Sequence, residues 1–174
     1  MFKFATEDKF NLEQYQGVWY EIARMPTDEP TQQVCVSASA KYTLDRSSIM
    51  KVVNTCYQID PETNRKQASA FIIGKAVPTQ IPGKLELAFD EYYLVPPVGL
   101  PVPIEVPARG QLGSSYLVQE TDYQNYSIVA NRYDGYFYYL QRTKEYDGFT
   151  EVQIKTKAEE YGFDSQELIF SQGF

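Results

Sequence analysis

The 174-residue sequence predicts an all-β fold, an eight-stranded antiparallel up-and-down β-barrel with one C-terminal α-helix packed outside it. Three observations carry that expectation. Short apolar or alternating segments recur between residues 17 and 142, with turn residues between them, which is the pattern of strands joined by hairpins. Asp134-Gly135 lies between the last two segments, and Asp-Gly is a strong tight-hairpin signal. Helical spacing follows only after Phe149, behind a capping pattern. A β-sandwich is the competing arrangement.

The elements follow in order. Residues 17–25 are apolar and aromatic after a polar lead. Over 34–44, Val34, Val36, Ala38, Ala40, Tyr42 and Leu44 share one face, and Ser37, Ser39, Lys41 and Thr43 take the other. That is a half-buried strand. Asp45-Arg-Ser-Ser48 turns the chain into a second long strand, 49–59, and Asp60-Pro-Glu-Thr-Asn64 turns it into a third, 67–77, ended by Pro78. Residues 84–89, 115–120, 126–131 and 136–142 complete the set. Thr150-Glu-Val-Gln153 forms a capping box, with Phe149 and Ile154 placed as a hydrophobic staple. Ile154, Ala158 and Tyr161 fall on one helix face, and Gly162 is placed to end the helix. Residues 167–170 add an edge strand.

The length suits a single domain over 1–174, and a chain of this size buries roughly 70% of its unfolded surface. One region stands apart. Residues 92–113 hold five of the ten prolines: Pro96, Pro97, Pro101, Pro103 and Pro107. Proline at that density is expected to stay out of a sheet. The segment reads as an apolar loop near the barrel mouth, and loops this long are commonly functional.

Composition removes several functions. The chain has no His, which excludes His-dependent triads, His-zinc sites and His-ligated haem. Two Cys cannot make a four-cysteine metal site. No metal site and no catalytic set is expected. Sixteen Lys+Arg against 23 Asp+Glu give a net charge of −7, so no basic footprint points to nucleic acid. No run of 18 apolar residues is present to span a membrane as a helix. The first nine residues lack the apolar core of a signal peptide. Expected locations are outside the cell after removal of a signal, or at a membrane periphery.

The strand faces suggest an interior with room in it. Ala68, Ala70, Ile72, Gly74 and Ala76 share one side of their strand, as Ala38 and Ala40 do on theirs. An eight-stranded barrel is either filled by side chains or left open for one small ligand, and small inner residues favour the second outcome. Fifteen Tyr supply apolar bodies with hydroxyl tips, the mix a ligand pocket uses.

Several motifs resemble one family. Residues 11–24, from Asn11 through Gly17-Val-Trp19-Tyr20-Glu21-Ile22-Ala23-Arg24, look like the first-strand signature of the lipocalins. Thr121-Asp122-Tyr123 resembles their second motif, and Arg142 their third. Residues 84–89 and 161–168 extend the likeness over nearly the whole chain. The branch it resembles holds apolipoprotein D, bacterial lipocalin, plant temperature-induced lipocalin and insect bilin-binding proteins. The resemblance implies a lipocalin calyx. It implies that Gly17, Trp19, Thr121, Asp122, Tyr123 and Arg142 are structural and close the barrel bottom, with the arginine stacked on the tryptophan. By position it implies pocket roles for Tyr42, Asn54, Phe89, Tyr116 and Tyr138, with Cys56 and Tyr138 standing where the family comparison has Glu and Trp. Tyr138 lies four residues before Arg142, so both point inward, as Tyr136 and Leu140 should.

The loop around Leu94 to Ile104 resembles the apolar loop of the plant members, which is tied to membrane association. Its candidate roles are contact with a bilayer, a lid over the ligand, contact with a second subunit, or packing on its own barrel. Monomer and homodimer both remain open. The cysteines have two readings. A two-residue turn at Asp45-Arg46 sets Cys35 opposite Cys56, where a disulfide is feasible. A three-residue turn flips the second strand, puts Asn54 and Cys56 inside and leaves Cys35 outside. The relatives' partner for a cysteine near Cys35 lies near the C-terminus, where this chain has none, so free thiols are expected.

The main functional expectation is a carrier that takes a small hydrophobic molecule out of water: a fatty acid or lysophospholipid, a sterol or terpenoid, a carotenoid, or a bilin. No cofactor is required, although a bound pigment or lipid is a candidate. The alternatives are an interaction module working through the proline-rich loop, and a ligand-modifying enzyme with Cys56 as its nucleophile. The chain is not expected to be an enzyme, since no base is evident to activate that thiol.

Overall fold

A one-turn helix leads into the barrel. In the computed structural model, which describes residues 10–27, 35–96, 100–104 and 114–172, α1 (Leu12–Tyr15) is capped by Asn11, whose Oδ1 accepts from Gln14 N at 3.0 Å. Gly17 then opens β1 (Gly17–Arg24) with φ +102°, a conformation that L side chains rarely adopt. A Cβ there would lie 3.0 Å from Arg142 Nη1.

The strands β2 (Ser37–Leu44), β3 (Met50–Ile59), β4 (Lys66–Pro78) and β5 (Lys84–Leu94) follow as antiparallel neighbours. β6 (Val102–Ile104) folds back on the far end of β5. β7 (Ser114–Thr121), β8 (Tyr126–Asn131) and β9 (Tyr136–Gln141) continue the sheet, and β9 pairs with β1. Eight strands thus close into an up-and-down barrel. Among the described residues, β7 meets β5 from Lys84 to Leu87. Outside the ring, α2 (Gly148–Glu160) packs on the wall, a 3₁₀ turn follows at Ser165–Glu167, and β10 (Ile169–Phe170) pairs with the end of β1.

The alternation of each strand sorts its residues into two cores. Inside the barrel, Tyr15, Trp19, Tyr42, Met50, Val52, Leu85, Val118 and Val129 pack together. Between the wall and α2, Ile22, Ile128, Ala130 and Phe137 meet Ile154, Ala158 and Phe163. The adjacent residues Val129 and Ala130 therefore serve opposite sides of one wall.

Four expectations need correction. The helix starts at Gly148, and its cap is Asp147, whose Oδ1 accepts from Thr150 N at 2.9 Å. Thr150 is inside the first turn, and its hydroxyl donates back to the same Asp147 oxygen at 2.9 Å. Phe149 is 70% exposed and staples nothing. The residues Tyr92, Tyr93 and Leu94 are strand, paired with Ile104, Pro103 and Val102. Pro103 is tolerated because β6 is an edge strand. Pro97 and Pro107 lie outside the described residues.

The cysteines follow neither reading completely. Five residues, Asp45 to Ile49, connect β2 and β3, with Asp45 Oδ1 accepting from the backbone N–H groups of Ser47 and Ile49. The register pairs Ala40 with Asn54 and Ala38 with Cys56, so Asn54 and Cys56 face inward. Cys35 precedes β2, so the strand's alternation does not govern it. It bonds to Cys56, with Cα atoms 5.4 Å apart. The free-thiol expectation fails because the chain bends at Val36 before the ladder begins.

Candidate ligand-binding cavity

The closed end of the barrel is locked by Arg142. Its guanidinium carbon lies 3.7 Å from the centre of the Trp19 ring. Its three nitrogens donate to the carbonyls of Tyr123, Val18 and Gln14, each at 3.0 Å. Trp19 Nε1 donates to Tyr15 O at 3.0 Å. Thr121 Oγ1 bonds Tyr126 O and accepts from Tyr123 N, and Asp122 Oδ1 accepts from three successive backbone N–H groups. Burial acts to raise the carboxyl of Asp122, but the Asn125 side-chain amide, donating to Oδ2 at 2.7 Å, and these backbone donors hold it below the usual range. Trp19, Thr121, Asp122, Tyr123 and Arg142 thus form one hydrogen-bonded plug at the closed end.

Above the plug lies a cavity of about 150 Å³. In a measure where one water takes roughly 10–15 Å³, that is space for a small organic molecule. Its floor is phenolic. Tyr42 donates its hydroxyl to Tyr116 at 2.8 Å, and the Tyr116 hydroxyl lies 3.1 Å from that of Tyr15, which is 2.8 Å from Ser127 Oγ. Burial pushes the Tyr15 phenol up to about 12 and raises those of Tyr42 and Tyr116 as well, so all three stay protonated donors at ordinary pH. The walls carry the small residues Ala38, Ala40 and Ala70, with Ile72, Leu87 and Leu140 between them.

Six of the seven residues expected at the pocket line this cavity: Tyr42, Asn54, Cys56, Phe89, Tyr116 and Tyr138. Tyr136 does not. Its hydroxyl donates to Ser115 O at 2.9 Å and accepts from Leu117 N at 3.2 Å, and its ring sits 6.0 Å from that of Tyr138. The β7 backbone holds it beside the cavity. Cys56 lines the wall as half of a disulfide, and in that state it has no thiolate to act as a nucleophile.

The sequence reading missed Cys35, Ser39, Thr55 and Leu87 on the wall, and with them its two charged residues. Glu21 and Arg24 both face the cavity, with Arg24 Nη1 donating to Glu21 Oε1 at 3.1 Å. Strict alternation puts residues three apart on opposite faces. A bulge between Glu21 and Ala23 inserts Ile22 as an extra residue, so Glu21 pairs with Leu140 and Arg24 with Tyr138, both inward. Burial raises the Glu21 carboxyl, and the guanidinium beside it opposes that rise.

A family model described as a lipocalin-like domain matches residues 10–173. The chain belongs to the lipocalins. Temperature-induced lipocalin-1 of Arabidopsis thaliana is 32% identical to this lipocalin over 162 residues, covering 91% of this chain and 76% of the relative. Apolipoprotein D of Macaca fascicularis is 30% identical over 126 residues, covering 71% of this chain and 52% of the relative, so the match spans about half of that protein. Among solved structures, insecticyanin from the tobacco hornworm Manduca sexta shares the fold with a TM-score of 0.62 at 18% identity, covering 98% of this chain and 84% of that one. Lipocalins generally bind and carry small hydrophobic ligands, and family members are generally binding proteins rather than enzymes.

Proposed function

We propose that this lipocalin carries one small hydrophobic molecule, a lipid or a pigment, in the cavity above the tyrosine floor. The observation behind this reading is the space itself. Small residues line the walls where a filled barrel would place large ones, while the phenols of Tyr42 and Tyr116 face the space with hydroxyls that a polar end could meet. The free energy would come mainly from apolar burial, at about 25 cal/mol per Å². The disulfide favours an oxidising compartment, so the carrier is proposed to work outside the cytosol.

Native mass spectrometry on protein from its own source, beside a denatured sample and an absorption spectrum, tests this. A non-covalent mass of several hundred daltons is expected, and visible absorbance would mark a pigment. A bare chain that takes up nothing from a panel of lipids and pigments would end the carrier reading.

A second reading rests on the mouth. Leu94, Leu100 and Val102 are 52%, 83% and 53% exposed, all at the β5–β6 hairpin. We propose that this hairpin meets a lipid surface beside the opening. Changing all three residues to Ser should abolish co-sedimentation with phospholipid vesicles while ligand uptake persists. Unchanged sedimentation would refute the contact.

A further inference from the structure

The wall of the cavity holds one carboxylate and one guanidinium side by side. Glu21 and Arg24 are bridged at 3.1 Å, and their side chains are 17% and 7% exposed. Among the described residues that line the cavity, they alone carry formal charge, and their charges cancel. They stand on the upper part of β1, Glu21 opposite Ala38, above Trp19 and the plug. The cavity therefore has two polar stations: phenols below and an ion pair above.

A buried ion pair carries a desolvation cost that a hydrocarbon wall would avoid. Its effect on a ligand follows from charge balance. A carboxylate head would set a second anion beside Glu21 with one cation between them, and an ammonium head would do the reverse beside Arg24. Either leaves a net charge in a medium of low dielectric. A head that is neutral overall, yet offers a hydroxyl hydrogen and an acceptor oxygen, meets both partners without that charge. Building on the carrier reading, we propose that the Glu21–Arg24 pair selects amphiphiles with a neutral polar head. The hydroxyl of that head donates to Glu21, and its oxygen accepts from Arg24, as the glycerol ester of a monoacylglycerol does.

The test uses the full chain at pH 8 and three ligands with the same twelve-carbon tail: 1-dodecanoylglycerol, dodecanoic acid and dodecylamine. Each competes against a fluorescent hydrophobic probe, so the shared tail cancels and the head is read alone. The ester is expected to bind at least tenfold tighter than either charged ligand. Glu21→Gln should shift the ratio at least tenfold toward the acid, and Arg24→Gln should shift it equally toward the amine. Equal affinity for the three heads in the unaltered protein, or a ranking that neither substitution moves, overturns the proposal while leaving the carrier reading intact. Failure of all three ligands and of the probe to bind overturns both. Should a single variant fail to fold, the ranking in the unaltered protein decides: ester first sustains the proposal, and acid or amine first ends it.

Discussion

Gly17 and Arg142 constrain each other. The glycine holds φ +102° and leaves the space that Arg142 Nη1 fills. Gly17→Ala should therefore cost about 1–2 kcal/mol through backbone strain alone, which corresponds to a fall in Tm of roughly 2–8 °C. Calorimetry on the two proteins reads that difference, and an unchanged Tm would mean that the backbone at this position carries no strain that glycine relieves. At this scale much was legible. The stack of Arg142 on Trp19 follows from the motifs, and the inward set of Tyr42, Tyr116 and Tyr138 follows from alternation and position. Arg24 was hidden, because alternation counts residues and the bulge at Ile22 adds one. Cys35 was hidden for a related reason: it precedes its strand, where no ladder fixes its direction. Tyr136 obeys the alternation, but its hydroxyl is taken by the backbone of β7.

The helix is fastened to the barrel through Glu120. This residue is 1% exposed, on the outer face of β7. Its carboxylate accepts from the Tyr126 hydroxyl, from Lys157 Nζ at 3.2 Å and from the Tyr161 hydroxyl at 3.1 Å. Burial acts to raise its pKa, but these three donors prevail and hold it below its ordinary value of 4.5. A carboxyl lowered by folding adds stability that is complete above its unfolded value and is lost as pH falls through its folded one. Stability should thus decline with acid below about pH 4.5, and Glu120→Gln should flatten that decline while costing about 2 kcal/mol at pH 7. Urea titrations at pH 7, 5 and 3.5 on both proteins check the prediction, and parallel acid profiles would refute it. The helix itself was legible from Ile154 and Ala158, which are buried as their spacing requires. Its start was not. Asp147 and Thr150 both have side chains suited to a cap, and the aspartate, three residues earlier, captures the threonine's own N–H and hydroxyl.

For the whole molecule, the eight-strand ring follows from sequential hairpins, and β9 closing on β1 makes it a barrel rather than a sandwich. The disulfide ties the segment leading into β2 to β3 across a separation of 21 residues, so reduction should lower stability by roughly 3 kcal/mol. The urea midpoint with and without reductant measures this. No change would mean that the barrel holds Cys35 in place by itself. The ring is also uneven. Among the described residues, β3 and β4 pair from Met50 to Ile59, whereas β5 and β7 pair from Lys84 to Leu87. Fewer described ladder bonds protect Lys84 to Leu87 than protect β3, so the amides of that stretch should exchange with solvent sooner than those of β3.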